Sequence, residues 1–352
     1  MEFFHEVGVF LAEAVILVIA IIAVVVVIAS ASQRRRGAEE GYIEVRRLND
    51  RYEAFHDAVR SLTEHPAARK LREKAERKTA KKEEKAARNA IKSSNSEDEQ
   101  ERARVFVLSF DGDIRASATE SLREEISAIS PELKEGDEVL LRLESPGGLV
   151  HSYGLAASQL QRIQATGASL TVAVDKVAAS GGYMMACVGD KILSAPFAVI
   201  GSIGVLAQIP NFHRLLQKNE IDFEQLTAGK YKRTLTMFGK NTPEDREKFL
   251  EDLEDTYDLF KDFVALNRPV VDIEAVATGE VWYGQRALDQ LLVDELMTSD
   301  AYLQACLPDK DLFEVRYVPK KSWQEKLGMA AEAGVERSLS KLWQLGANRL
   351  LP

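Results

Sequence analysis

The sequence predicts an α/β core behind an N-terminal membrane anchor. Three observations carry that expectation. Residues 14–32 read AVILVIAIIAVVVVIASAS, nineteen residues without a charge. From Val105 onward, short β-rich runs alternate with stretches of helical spacing, the pattern of a parallel sheet with crossover helices. Between the two, residues 67–104 hold 13 Lys/Arg and 8 Asp/Glu with almost no large apolar side chain.

A helix over 14–32 is about 28 Å long, close to the hydrocarbon core of a bilayer. A cleaved signal peptide is the alternative, since Ala29-Ser30-Ala31 has the small-x-small form. The preceding MEFFHEVG is acidic where a signal peptide is basic, which favours a retained anchor. Arg34, Arg35 and Arg36 follow the run, and Glu2, Glu6 and Glu13 precede or enter it. The positive-inside rule then puts the body of the protein in the cytoplasm. A second uncharged stretch, 192–210, holds two Pro, two Gly and two Ser. It reads as two buried β-runs, not a span.

Val45, Leu48, Tyr52, Phe55, Val59 and Leu62 are spaced 3, 4, 3, 4, 3, an a/d seam shorter than three heptads on a helix that Pro66 stops. The charged stretch beyond it cannot bury enough apolar surface to offset its ordering entropy. It is a helical or disordered tether, either a basic strip on anionic lipid or a solvated spacer. A chain started near Arg104 is expected to keep the whole core.

The core elements follow in order. VFVLSF (105–110) is a strand, 119–129 a helix and EVLLRL (138–143) the next strand, ended by SerProGlyGly at 145–148. Residues 150–165 form a helix with Leu155, Leu160 and Ile163 on one face, and SLTVAV (169–174) is a third strand. KILSAP and AVIGSIGV add shorter β-runs. Thr242-Pro243-Glu244 starts a helix with Pro at its first position. Phe249, Leu253, Tyr257, Phe260 and Val264 form its apolar stripe. The resulting segments are 1–33 anchor, 34–104 charged and partly helical tether, 105–316 core domain and 317–352 amphipathic C-terminal extension. The last carries Val335, Leu339, Leu342 and Trp343.

Composition excludes several function classes. With 55 acidic against 46 basic side chains, net −9, there is no basic excess for nucleic acid. Cys187 and Cys306 lie 119 residues apart, so neither a disulfide framework nor a CxxC motif exists. Five scattered histidines supply no zinc spacing, and no GxGxxG or GxxxxGK[ST] loop is present.

In AspLysValAlaAlaSerGlyGlyTyr (175–183) a strand gives way to a helix near Ser180. A serine at such a turn points its hydroxyl off the sheet edge, the logic of the GxSxG elbow without its sequence. On this segment alone an ordinary N-cap serine is the more economical reading. SerProGlyGly lets the backbone approach a ligand, with Gly147 N–H able to face a developing oxyanion, though alone it is only a turn signal. A base is needed. His151 and His213 come with no evident orienting Asp. GlyLysTyrLysArgThr (229–234) offers Lys230 and Lys232, and a desolvated lysine can take a proton from serine.

AlaAlaSerGlyGlyTyr at 178–183, SerProGlyGly at 145–148, IleGlySerIleGlyVal at 200–205, GlyLysTyrLys at 229–232 and AlaThrGlyGluValTrpTyrGlyGlnArgAlaLeu at 277–288 together resemble the signal peptide peptidase A family of serine peptidases. The single anchor and charged tether are similar to its SohB-type branch. The resemblance implies a Clp protease/crotonase-like core of stacked ββα units. It also implies a Ser/Lys dyad of Ser180 and Lys232, with Ser202 orienting the lysine and Gly147 and Gly181 donating to the oxyanion. No metal or cofactor is required. With a single peptidase unit per chain, the resemblance implies a homo-oligomer whose sites are completed between subunits.

The expected activity is ATP-independent cleavage of peptides or unstructured segments, such as signal peptide remnants, at a bacterial inner (plasma) membrane. The flanking arginines favour a cytoplasmic domain, the resemblance an exported one. The rival from another class is a catalytically silent crotonase-like scaffold that binds peptides at the membrane.

Overall fold

The structure, a computed structural model, describes residues 41–65, most of 67–82 and 102–320. The chain divides into a unit of 1–42 with 318–352 and a unit of 43–317, and the account below concerns the latter. The anchor expected at 14–32, most of the tether and the extension from 321 lie outside the described residues. Among the described residues no helix is long and apolar enough to cross a membrane.

The first described elements are a strand, β1 (Tyr42–Arg47), and a helix, α1 (Leu48–Thr63). Then come β2 (Ala103–Asp111), α2 (Thr119–Ile129), β3 (Glu138–Glu144), α3 (Val150–Gln164), β4 (Ser169–Val174), β5 (Val177–Ala179), α4 (Gly181–Ala186), β6 (Lys191–Ser194) and β7 (Val199–Gly201). A long stretch with one short helix, α5 (His213–Lys218), precedes α6 (Pro243–Asn267) and α7 (Ile273–Val276). The chain closes with β8 (Val281–Tyr283), α8 (Gly284–Asp289), β9 (Glu295–Leu296), α9 (Ser299–Cys306) and β10 (Lys310–Val318). One sheet has the order β1-β10-β2-β3-β4-β6-β9 and a second, smaller one the order β5-β7-β8. From β10 to β9 every pair in the large sheet is parallel. The fold is therefore mixed α/β, as the alternating pattern predicts.

Two-sided burial explains the near-continuous apolar character of the central strands. Phe106, Leu108 and Phe110 of β2, with Val139, Leu141 and Leu143 of β3, meet Leu122 and Ile126 of α2 and Tyr153, Leu160 and Ile163 of α3. The intervening residues Val105, Val107 and Leu140 join Leu48 of α1 and Leu303 of α9 on the other face. Thr242 caps α6 in a reciprocal capping box with Asp245, as the Thr-Pro-Glu start foretells. The stretch 192–210 contains β6 and β7 and no span.

Three expectations shift. Val45 stands in β1 rather than on a helical seam, and α1 begins only at Leu48, because Tyr42–Arg47 extends the sheet at its edge. Asn49 binds this start to β10, donating to Lys310 O and accepting from Leu312 N. The first part of the expected tether is thus woven into the core unit. Leu155 is exposed; the buried face of α3 is instead Tyr153, Ala156, Ala157, Leu160 and Ile163. On α6 only Phe260 and Val264 of the apolar stripe are fully buried.

Candidate active site

Ser180 ends the parallel pairing of β5 with β7, in which Ala179 is the register partner of Gly201. Its backbone lies at φ 52°, ψ −119°, a conformation that non-glycine residues adopt at a cost of about 1–3 kcal/mol. Although Ser180 precedes α4, its side chain makes no capping bond. That removes the ordinary N-cap reading, and the hydroxyl is left without a hydrogen bond among the described residues. The backbone is pinned on both sides. Ser180 N donates to Gly201 O at 2.7 Å, and Met184 N donates to Ser180 O at 3.0 Å.

SerProGlyGly folds directly against this turn. Ser145 N donates to Val177 O at 2.8 Å and Ala179 N donates to Ser145 O at 3.0 Å, so the end of β3 hydrogen-bonds to β5. Gly147 has φ 89°, and a Cβ there would stand 2.7 Å from Ser180 Cβ and 2.8 Å from Gly181 N. Only glycine serves at this position, on conformational and on steric grounds. Gly181 N–H has no acceptor among the described residues. Gly147 N–H donates to Ser145 Oγ at 3.1 Å.

Ser202 occupies the position after β7 that Ser180 occupies after β5, and it too has positive φ, 51°. Its N–H donates to Glu280 O at 2.6 Å, in the segment leading into β8. The structure therefore brings Ser180, Gly147, Gly181 and Ser202 together at the ends of adjacent strands.

Lys232 is not joined to them by a hydrogen bond. It lies exposed in the stretch between α5 and α6, and its ammonium makes no hydrogen bond or ion pair among the described residues. Nearby, Lys230 stands 4.8 Å over the Tyr231 ring. The Tyr231 hydroxyl oxygen, accepting from the ammonium, raises the Lys230 pKa, the opposite of what a general base requires. His151 is exposed and His213 partly so, and neither imidazole is hydrogen-bonded among the described residues. Among those residues no cluster of His, Cys, Asp or Glu could hold a metal ion.

Three residues of the site were not legible as such. Ser145 Oγ lies 2.6 Å from Tyr153 OH, which donates to Asp113 O at 2.8 Å. Ser145 and Tyr153 are fully buried beneath Gly147 and Gly181. An aromatic residue soon after a strand-ending GlyGly turn was the signal available, and it passes for ordinary core.

The sequence matches two family descriptions, Peptidase family S49 N-terminal over residues 2–160 and Peptidase family S49 over residues 162–312. It is 50% identical to the probable protease SohB of Haemophilus influenzae over 328 residues, 92% of each chain. It is 32% identical to the chloroplastic serine protease SPPA of Arabidopsis thaliana over 51% of this chain and 27% of that protein. A putative signal peptide peptidase SppA of Enterococcus faecium is 29% identical over 52% and 54%.

Proposed function

Starting from the fact that this chain belongs to peptidase family S49 and is a serine peptidase, we propose that it cleaves peptides with a Ser180/Lys232 dyad and no cofactor. The observation that carries the reading is the Ser180 turn. A serine at positive φ, with an uncommitted hydroxyl, is pressed between Gly147 and the free N–H of Gly181. Ser180 Oγ attacks the scissile carbonyl while the neutral amine of Lys232, oriented by Ser202, takes the proton. The Gly181 N–H, and the Gly147 N–H once it exchanges its Ser145 Oγ acceptor for the substrate, stabilise the tetrahedral oxyanion, each worth about 3 kcal/mol of barrier. Lys232 then protonates the departing amine, and water resolves the acyl-enzyme.

A lysine becomes a neutral acceptor when shielded from water. In the single chain Lys232 is exposed, and a neighbouring copy lying over it would supply the shield. This supports a homo-oligomer in which Ser180 of one subunit meets Lys232 of the next. The strongly apolar run at 14–32 supports a single-pass anchor in a bacterial inner membrane. The two-sheet α/β unit is compatible with a Clp protease/crotonase-like core. Substrates are then peptides or unstructured segments near the bilayer, signal peptide remnants among them.

The test is complementation. Chains carrying Ser180→Ala and Lys232→Ala, each inactive alone, are co-expressed and co-purified. Recovered peptide cleavage is expected from interfaces that pair the intact residues. Verified mixed oligomers with no activity would sink the shared-site assignment.

A further inference from the structure

We propose that Ser145 and Tyr153 are positioning residues of the reaction, acting through the Gly147 N–H; this rests on the oxyanion role given to Gly147 above. The hydrogen-bond directions can be assigned from proton counting alone. A phenol has one proton, and that of Tyr153 goes to Asp113 O at 2.8 Å. The 2.6 Å contact between the two hydroxyls is then a donation from Ser145 to Tyr153. Ser145 Oγ in turn accepts from Gly147 N at 3.1 Å. The result is a one-way relay from Gly147 N–H through Ser145 and Tyr153 to the Asp113 carbonyl. Burial raises the Tyr153 pKa, which keeps the phenol protonated as the donor that directs the relay. Each hydroxyl that donates onward becomes a better acceptor for the donor before it.

A buried hydroxyl pair could simply satisfy itself within a core. Here every bond ends on a strand-end loop of the site. Asp113 lies beyond β2, Ser145 and Gly147 beyond β3, and Tyr153 in the first turn of α3. The packing repeats the pattern. A Cβ on Gly112 would strike Ser145 Oγ and, at 2.6 Å, Tyr153 OH. One on Gly181 would strike the Tyr153 ring, and one on Gly182 would lie 2.5 Å from Ser145 O. The ring of Tyr153 is thus the floor under the turn that carries Ser180, and its hydroxyl fixes the loop that carries Gly147. In the free enzyme the buried Gly147 N–H rests on Ser145 Oγ, an acceptor it exchanges for the oxyanion in the reaction. Without Ser145 Oγ it has no acceptor, and the 146–147 peptide plane loses the bond that holds it ready.

The readouts are peptide hydrolysis and binding of a peptide boronate, whose serine adduct carries the tetrahedral charge. Ser145→Ala and Tyr153→Phe are each expected to lower kcat about 10- to 100-fold, less than loss of a donor itself. KM should stay within about twofold, since ground-state binding is untouched. Boronate affinity should fall by the same factor as kcat. The double variant should be no worse than the weaker single, because both break one relay. Wild-type kcat and boronate affinity in both variants would overturn the proposal. So would a loss confined to KM or to melting temperature. Fluorophosphonate labelling of wild-type protein, mapped to Ser180, separates the two levels. No label at Ser180 would fail the dyad reading itself, whereas labelled Ser180 with unaffected variants fails only this inference.

Discussion

The turn around Ser180 and the stretch around Lys232 are built in opposite ways. From Ala178 to Tyr183 only Ser180 is more than slightly exposed, and backbone bonds to β3 and β7 fix the turn. Between β7 and α6 the chain has one short helix, and Leu206, Leu215, Phe223 and Leu226 stand in solvent, Leu226 at 92% exposure. Apolar side chains so exposed are what the proposed homo-oligomer would cover. On the proposed dyad reading, one chain would carry the nucleophile and its oxyanion donors and present the base on an exposed face for a partner copy to cover.

The hardest blow to that contrast is delivered at its two poles. Ser180→Ala should reduce peptide hydrolysis to background with melting temperature unchanged. Lys232→Arg should match Lys232→Ala, because a guanidinium stays protonated and cannot act as a base. Lys230→Ala should keep most activity. If Lys230 proves the essential lysine, the assignment within 229–234 is off by two.

A milder break targets the surface rather than the chemistry. Leu226→Asp should shift the protein to smaller species in gel filtration and lower kcat about tenfold or more, since buried charge is costly at an interface. Near-ultraviolet circular dichroism should not change. An oligomer and kcat both at wild-type level would mean that the stretch is not an interface.

Truncation sharpens the boundary of the rigid region. A chain starting near Arg104 loses β1 and α1, and with them buried Leu48, both Asn49 bonds and the Arg47–Asp311 ion pair. The expected loss is about 3–5 kcal/mol from burial and hydrogen bonding, read by denaturant unfolding against a chain starting at Gly41. Equal stability of the two would restore the tether boundary at 104.

The smallest effect lies in the rigid region itself. Glu125 on α2 accepts from Tyr317 N at 2.8 Å, while its other oxygen is buried without a hydrogen-bond partner among the described residues. Burial pushes its pKa up to about 7, from 4.5. The folded state therefore binds more protons than the unfolded one between those values, and stability falls as pH rises through that window. Glu125→Gln should flatten this slope. Parallel pH–stability curves for the two proteins would refute the assignment.

Much of this was readable from residues. The helix at 119–129, the strand at 169–174 and the capped start at Thr242 follow from spacing and caps, which are local signals. β1 was not, because apolar positions at 45, 48 and 52 satisfy a helical seam as readily as a strand running into a helix. β8 and β9 are two to three residues long and owe their existence to neighbours, Trp282 pairing with Ile200 and Leu296 with Ser194. At the candidate site, Ser180 read on its own segment as a cap and Gly147 as a turn glycine, and only the family resemblance singled them out together with Gly181. The bonds among Ser145, Tyr153 and Asp113 span up to 40 positions, and hydroxyls carry no periodicity that would announce them.

The crowding around Tyr153 also has a reading in sequence variation. Gly112, Gly181 and Gly182 do not have positive φ, so their backbones would accept alanine. What excludes it is the ring and the serine already in place. A saturation-mutagenesis map should therefore score these glycines nearly as intolerant as Ser180, although none of their side-chain hydrogens takes part in chemistry. Their tolerance is conditional: glycine at 153, which removes the ring and the Cβ at 2.8 Å alike, opens the space that alanine at 181 needs. Escape from the constraint would come as paired changes, so a library varying 153 and 181 together should yield survivors that neither single library contains.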